Sequence, residues 1–105
     1  MTAVFKALSD PTRRRVLEIL RDGPHTAGEL ADQFTVSKPT MSAHFAVLRE
    51  AGLVASYKEG KSVVYSLELS VLEQALLGFA KAFGWELHAE RPPRSKRASR
   101  AVQGR

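Results

Sequence analysis

The chain has 105 residues, of which 44% are hydrophobic and 26% are charged, and it contains no cysteine. This length suits one small domain, and the lack of cysteine excludes disulfides, thiolate catalysis and zinc sites with sulfur ligands. No apolar run approaches the roughly 20 residues of a membrane-spanning helix, and charges interrupt the apolar stretches at the start. We therefore expect a cytoplasmic protein without membrane insertion.

The formal net charge of +5 is unevenly distributed along the chain. Residues 91–105 contain six of the 16 Lys and Arg side chains and no acid, which leaves 10 basic and 11 acidic side chains, a net charge of −1, in residues 1–90. Residues 91–105 also hold few side chains that build a core, so we predict a folded domain at 1–90 and a disordered basic tail at 91–105. Overall basicity alone therefore does not indicate that the folded domain binds nucleic acid.

The first third of the chain predicts three short helices. Residues 2–9 place apolar side chains on one helical face. A second helix begins after Asp10, a good N-cap residue, with Pro11 in the first helical position. Thr26 and Glu29 have the spacing of a capping box, which predicts the start of a third helix.

A longer fourth helix is predicted from its cap, its apolar stripe and its stop. Ser37 suits the N-cap, and Gly52 is placed as the C-terminal stop. Met41, Phe45 and Leu48 follow one another at helical spacing and predict the buried side. The opposite side of this helix is therefore predicted to face outward.

The remaining elements are a hairpin and a last helix. Residues 54–58 and 62–67 predict two strands, joined by a two-residue turn at Glu59-Gly60. The last helix is predicted over residues 70–83. This order, α-α-α-α-β-β-α, indicates a mainly α fold with a small β-hairpin, the winged helix-turn-helix, in which the second helix of the turn enters the DNA major groove.

The exposed side of the fourth helix predicts contact with DNA. It carries small and hydrogen-bonding residues in its N-terminal half, whereas an ordinary solvated helix face usually carries Glu/Lys pairs. Small side chains permit close approach to the duplex, and hydroxyls and free N–H groups suit phosphate oxygens. We favour this interpretation over a solvated face. The predicted contacts are Ser37, Lys38, Thr40, Ser42, Ala43, His44 and Arg49.

Two further basic clusters are candidates for DNA contact. Lys58 and Lys61 flank the hairpin turn and would reach the sugar-phosphate backbone, although lysine on strands also blocks edge pairing. The run Arg13-Arg14-Arg15 opposes the dipole of the helix that it begins, so local helix stability does not explain it. We include Arg13 among the predicted DNA contacts, with a solvated basic face as the alternative.

The last helix is more apolar than one buried face requires, and the first helix also carries apolar side chains that a small core leaves exposed. Burial of both against a second copy removes this surface from water and predicts a homodimer. A two-fold dimer would set two recognition helices about one DNA turn, ~34 Å, apart. The alternative is packing within the monomer. The predicted interface residues are Val4, Phe5, Leu8, Leu72, Leu76, Phe79 and Phe83.

Several stretches resemble the ArsR family of bacterial winged-helix repressors. They read ALSDPTR at 7–13, SKPTMSAHF at 37–45 and LREAGLV at 48–54, and VVYSL at 63–67 matches the second wing strand. The resemblance covers roughly residues 3–83 and is closest to the SdpR-like autorepressor subgroup. It implies a sequence-specific regulator, usually a repressor, that binds a pseudo-palindromic promoter operator as a homodimer and responds to a protein or metal effector that is unknown here.

The resemblance also assigns positions to the candidate DNA contacts. It implies that Lys58 and Lys61 lie on the wing. It implies that the recognition-helix positions are Ser37, Lys38, Thr40, Ser42, Ala43 and His44.

Two ligand sets of the family's metal sensors are not present in this sequence. Residues 26–30 replace a Cys-x-Cys motif, and residues 68–70 replace an Asp-x-His pair, so we expect no metal and no other cofactor. The alternative is a divalent ion near His88 with Glu86 or Glu90, but an exposed helix end is the interpretation that we favour.

No catalytic constellation can be assembled from residues placed in one pocket, so we expect a protein that is not an enzyme. The other function considered is a winged-helix protein-interaction module that has lost DNA binding. It would bury its apolar last helix in a different protein.

Overall fold

The computed structural model describes residues 2–85 and contains five helices and three strands in that range. The predicted basic tail and the candidate metal residues Glu86, His88 and Glu90 lie outside the described residues. The elements are α1 (Thr2–Leu8), α2 (Pro11–Leu20), β1 (His25–Thr26), α3 (Ala27–Ala31), α4 (Lys38–Glu50), β2 (Val54–Glu59), β3 (Ser62–Leu67) and α5 (Leu69–Ala82). The predicted fold, mainly α with a β-hairpin wing, is confirmed.

The predicted N-caps set the starts of the central helices. The Asp10 carboxylate accepts a hydrogen bond from the Arg13 N–H at 3.1 Å, and Thr26 and Glu29 form the reciprocal capping box. The Ser37 hydroxyl accepts a hydrogen bond from a backbone N–H in the first turn of α4. Because each cap satisfies an N–H that the helix leaves free, these side chains fix where α2, α3 and α4 begin.

Helix α4 ends in a Schellman motif at Gly52, whose φ is 77°. The Leu53 N–H donates to the Leu48 carbonyl at 3.1 Å, and the Gly52 N–H donates to the Arg49 carbonyl at 3.0 Å. Leu48 and Leu53 are both fully buried, which supplies the apolar contact that accompanies this motif. The chain therefore passes from α4 into β2 through a fixed corner that ties the hairpin to α4.

The sheet contains a strand that the sequence did not predict. Residues His25 and Thr26 form β1, which pairs with Tyr65 and Val64 of β3, so the strand order is β1-β3-β2 and all pairs are antiparallel. A two-residue strand is too short to show alternation, and Thr26 is at the same time the cap of α3. This pairing attaches the start of α3 to the hairpin.

The hairpin turn lies one residue later than predicted. Glu59 pairs with Ser62, so the two turn residues are Gly60 and Lys61 rather than Glu59 and Gly60. Gly60 has a φ of 64°, which glycine adopts without strain. Lys61 therefore lies at the tip of the wing.

The core packs α4 against α1, α2 and the hairpin, and α3 contributes Leu30 to it. The predicted stripe of Met41, Phe45 and Leu48 is buried, and the Phe45 ring lies 4.8 Å from the Tyr65 ring, centroid to centroid. The largest fully buried side chains are Leu30, Met41, Leu48, Leu53 and Val16. Because one side of α4 forms the centre of this core, its opposite side is left facing solvent.

Candidate nucleic-acid interface

The outward side of α4 has the exposure and the charge that DNA contact requires. Six of the predicted contact residues are exposed, and no acid occurs in α4 before Glu50. The exposed residues are Ser37, Lys38, Thr40, Ser42, Ala43 and Arg49. These side chains are small, hydroxylated or basic, so a phosphate backbone meets neither bulk nor like charge along most of the helix.

The start of α4 is held in a fixed hydroxyl arrangement. The Ser37 hydroxyl donates to the Thr40 hydroxyl oxygen at 2.9 Å and accepts from the Thr40 backbone N–H at 3.3 Å. The N-terminal end of a helix carries partial positive charge and free N–H groups, which favour anions. Lys38 follows directly, so hydroxyls, N–H groups and an ammonium group share one end of the helix.

The wing extends this surface beyond α4. Lys58 and Lys61 are exposed, and Lys61 lies at the tip. By the strand register, Lys58 shares a sheet face with Tyr65, whose ring packs on Phe45 of α4. Glu59 belongs to the opposite face. The wing therefore presents lysine rather than glutamate on the side of α4.

The Arg13 side chain makes several contacts within the protein, and its contact with DNA stays a prediction. Its Nε donates to the Ala7 carbonyl at 2.8 Å, and its Nη2 donates to the Lys6 carbonyl at 3.0 Å. Its Nη1 lies 3.2 Å from Nδ1 of His44. The last carbonyls of α1 have no partner within the helix and carry its negative dipole end, so a guanidinium with several fixed donors binds there.

Contact with the end of α1 also accounts for Arg14, the second residue of the run Arg13-Arg14-Arg15. Arg14 donates from Nη1 to the Leu8 carbonyl at 2.7 Å, whereas Arg15 pairs with Glu18 at 3.1 Å between exposed side chains. An exposed pair of this kind contributes little to stability. Arg13 and Arg14 begin α2 in sequence, but their side chains bind the carbonyls at the end of α1, where the α1 dipole favours a cation.

His44 also lies away from the outward side of α4. Its side chain is only 14% exposed and faces the corner between α1 and α2. Nε2 of the ring lies 3.9 Å from Oδ2 of Asp10, and Nδ1 faces Arg13. The His44 ring therefore contacts other parts of the protein, and its contact with DNA stays a prediction.

Asp10 is the N-cap of α2 and also lies beside His44 and Arg13. Partial burial raises the pKa of its carboxyl, but the backbone N–H of Arg13, the charge of His44, the N–H of Thr12 and the charge of Arg13 all lower it. The pKa of Asp10 lies below its ordinary value as a net result. The carboxylate form is thus the one that the folded protein favours.

We expect Asp10→Asn to keep most of the stability at pH 7 and to lose part of its dependence on acid. Asn caps a helix about as well as Asp, so the loss at pH 7 should stay within roughly 0.5 kcal/mol. The Asp10 pKa is lower in the folded state, so its contribution is present above the unfolded pKa of about 4 and is lost as the pH falls through the folded pKa. Urea unfolding at pH 7 and pH 3 measures this difference.

Asp10→Ala is the control for the cap, because it should cost about 1 kcal/mol at pH 7. If the asparagine variant lost as much stability between the two pH values as the unmodified protein, Asp10 would not contribute to the acid dependence.

A continuous apolar surface covers α1 and α5. The Phe5 and Phe79 rings lie 5.1 Å apart, Phe79 and Phe83 lie 5.0 Å apart, and Phe83 and Trp85 lie 6.2 Å apart, all between centroids. We call these four side chains the aromatic surface. Phe79, Phe83 and Trp85 are 42%, 64% and 62% exposed, and Leu76 beside them is 41% exposed. A single copy of the chain therefore leaves large apolar side chains in contact with water.

Trp85 was not among the predicted interface residues. The backbone N–H of Trp85 donates to the Ala80 carbonyl at 2.9 Å, and Gly84 before it has a φ of 77°. Together these features form a second Schellman motif. The motif folds the chain back and places the indole beside Phe83. The glycine followed by an apolar residue was the sequence signal for this arrangement.

Val4, which was predicted to lie in the dimer interface, is buried within the chain itself. It is 6% exposed and belongs to the chain's own core, so it has almost no surface to offer a partner. Leu8 and Leu72 are half-buried against the same core. The exposed apolar area thus comes from the aromatic side chains and Leu76 more than from the start of α1.

Within residues 2–85, no three His, Asp or Glu side chains come together as a metal site. No helix in that part of the chain is long and apolar enough to cross a bilayer.

Comparison with known proteins agrees with this geometry. A family profile described as a helix-turn-helix domain matches residues 8–57. The transcriptional repressor SdpR of Bacillus subtilis (strain 168) is 42% identical over 76 residues, which cover 72% of this chain and 84% of SdpR. The HTH-type transcriptional regulator CmtR of Mycobacterium tuberculosis is 42% identical over 71 residues, which cover 68% of this chain but 60% of CmtR.

A solved structure is also similar. The ArsR-like transcriptional regulator from Rhodococcus sp. RHA1 superposes with a TM-score of 0.68 and 31% identity, over 79% of this chain and 77% of that chain.

A helix-turn-helix followed by a hairpin wing defines the class as a winged-helix domain of the kind that binds DNA. The chain belongs to the ArsR family of winged helix-turn-helix transcriptional regulators. The family resemblance of the sequence is thereby confirmed.

Proposed function

We propose that the protein is a sequence-specific transcriptional repressor that binds a pseudo-palindromic promoter operator as a homodimer. The observation that carries this proposal is the outward side of α4, which is exposed and has no acid before Glu50. In winged-helix proteins this helix lies in the major groove with its N-terminal residues near base edges. Ser42 and Ala43 are exposed there and would contact the bases or permit their close approach.

Phosphate contacts would hold α4 in register on the duplex. Lys38 at the start of α4 and Lys58 and Lys61 on the wing are exposed and provide ammonium groups for such contacts. Such contacts supply affinity with little dependence on sequence, whereas contacts with base edges supply preference. Repression as the outcome is supported by the similarity to SdpR, which is a transcriptional repressor.

The homodimer is supported by the aromatic surface. Aromatic side chains that remain 42% to 64% exposed in one copy would gain about 25 cal/mol for each Å² of apolar area that a second copy covers. A two-fold axis would pair the same surface of both copies and set the two α4 helices to meet successive major grooves.

Lys61→Ala and Lys38→Ala are expected to weaken DNA binding by loss of phosphate contacts. Each lost contact should lower the affinity about threefold to tenfold, and because a homodimer loses one contact in each protomer, each variant should reduce the slope of log affinity against log salt by about 2. The Lys61 variant should keep the preferred DNA sequence, because the wing tip would contact the backbone. Fluorescence anisotropy with a duplex selected from a randomised library, between about 50 and 200 mM salt, measures both quantities.

Lys81→Ala is the matched control, since Lys81 is an exposed lysine of α5 and belongs neither to α4 nor to the wing. Binding of the unmodified protein that did not depend on salt would contradict the proposed function. If the protein enriched no duplex and was a monomer in light scattering, the result would favour the protein-interaction module instead.

A further inference from the structure

Arg13 joins three helices through one side chain. From α2 it donates to two carbonyl oxygens at the end of α1, those of Lys6 and Ala7, at 3.0 and 2.8 Å. Its remaining arm reaches Nδ1 of His44 in α4 at 3.2 Å. Arg13 and His44 are 31 residues apart in the chain, so this is a tertiary contact. We call it the Arg13–His44 contact.

The contact defines the protonation state of His44. A guanidinium has donors only, so Nδ1 must accept, and a neutral ring then carries its proton on Nε2. Nε2 is the atom that faces Oδ2 of Asp10, at 3.9 Å. The geometry around both ring nitrogens thus fits one neutral tautomer of His44.

The position of the contact relates it to DNA binding. Helix α4 packs on the core through Met41, Phe45 and Leu48, with Val47 and Ala51 partly buried beside them, and His44 adds a polar contact with α2. His44 lies on the flank of that stripe and is fixed from α2. On its other side Arg13 holds the end of α1, the helix that carries Phe5 of the aromatic surface.

We propose that the Arg13–His44 contact is a positioning contact for operator recognition, and that it forms while His44 is neutral. It fixes the roll of α4 relative to α1, and hence the orientation of the two recognition helices relative to each other in the dimer. This inference rests on the proposed function. Arg13 and His44 act here through α4 and not through the DNA.

Protonation of the His44 ring would weaken the Arg13–His44 contact. A protonated ring places an N–H and a positive charge against the Arg13 donors, while Asp10 attracts the same charge from the other side. The charged side chains facing His44 are Arg13 from α2 and Asp10 from its cap, and α1 contributes carbonyl oxygens. Protonation of the ring should therefore weaken the contact.

Two variants of His44 test the proposal. His44→Ala removes the contact with α4 and leaves both bonds from Arg13 to α1 in place. His44→Asn is the matched variant, because its amide oxygen takes the place of Nδ1 as an acceptor and does not titrate. Affinities are measured for a duplex selected from a randomised library with the unmodified protein and for a scrambled duplex, at about pH 7.5 and about pH 5.5.

His44→Ala is expected to bind the selected duplex about tenfold more weakly at pH 7.5, with unchanged binding to the scrambled duplex, an unchanged preferred sequence and an unchanged melting temperature within a few degrees. A merely structural role would lower the melting temperature and not this ratio of affinities. His44→Asn should keep the ratio at both pH values, whereas the ratio of the unmodified protein should fall at pH 5.5.

Two results would overturn the inference. One is a His44→Ala variant with the unmodified ratio, and the other is a changed base preference, which would mean that His44 contacts DNA directly. If the unmodified protein enriched no duplex at all, the proposed function would fail first and the inference with it.

Discussion

Ala43→Glu is expected to abolish operator binding, with the affinity for a selected duplex lowered about 100-fold or more. Ala43 lies near the centre of the outward side of α4 and is exposed. A carboxylate there would be pressed against the phosphate backbone and the bases, and such like-charge contact costs several kcal/mol, of which 1.4 kcal/mol is tenfold in affinity. The fold should remain, since alanine and glutamate are both good helix formers.

Two controls distinguish a local effect of the new carboxylate from an effect of side-chain size and from an effect of the changed net charge of the protein. Ala43→Gln adds nearly the same volume without a charge and is expected to weaken binding less than the glutamate. Ala3→Glu adds the same charge to exposed Ala3 in α1 and should leave binding within about twofold. Anisotropy titrations of all three, with circular dichroism as the check of folding, give the result. If Ala43→Glu bound the duplex as strongly as Ala3→Glu, α4 would not be the recognition helix.

Much of the fold was predictable because its signals are local. The caps at Asp10, Thr26 and Ser37 and the stop at Gly52 each act within a few residues of their own position. Their side chains compete for backbone groups that are free at every helix end, so residue type and spacing suffice. The outward side of α4 followed from the same logic, because its buried stripe has helical periodicity.

The roles of Arg13 and His44 were not predictable from local spacing. Both residues were assigned to DNA by charge and by motif position, but their partners are carbonyls of another helix and each other. Only two residues separate the end of α1 from the start of α2, so arginines in the first turn of α2 reach back to α1. A sequence shows a cation at a helix start, and only the fold shows which helix end lies beside it.

The predicted dimer surface was likewise predictable only in its local features. Helical periodicity identified the apolar stripe of α5, but it gave no means to divide apolar residues between the chain's own core and a partner. Val4 lies in the core, whereas Trp85, which lies past the end of α5, extends the exposed surface. Burial of a helix face depends on what the other helices already cover, and that is a property of the packed chain.

Phe79→Glu and Phe83→Glu are expected to convert a dimer into a monomer and thereby lower operator affinity about 10²-fold to 10⁴-fold. This range is the gain that two linked binding modules obtain over one. A glutamate within the aromatic surface would have to lose its hydration without a cation as partner, which costs far more than the apolar contact that it replaces. Phe83 is 64% exposed in one copy, so its replacement should disturb the monomer least.

Light scattering measures the mass, which should fall from about twice 11.6 kDa to the mass of one chain. Phe79→Leu keeps an apolar side chain at the same position and should remain dimeric, which separates the effect of charge from loss of the ring contact with Phe5. Because the core around Leu48 and Leu53 lies elsewhere, helical content should persist in all three variants. A Phe83→Glu protein that stayed dimeric would place the interface on another surface, and the two α4 helices would then need a different spacing on DNA.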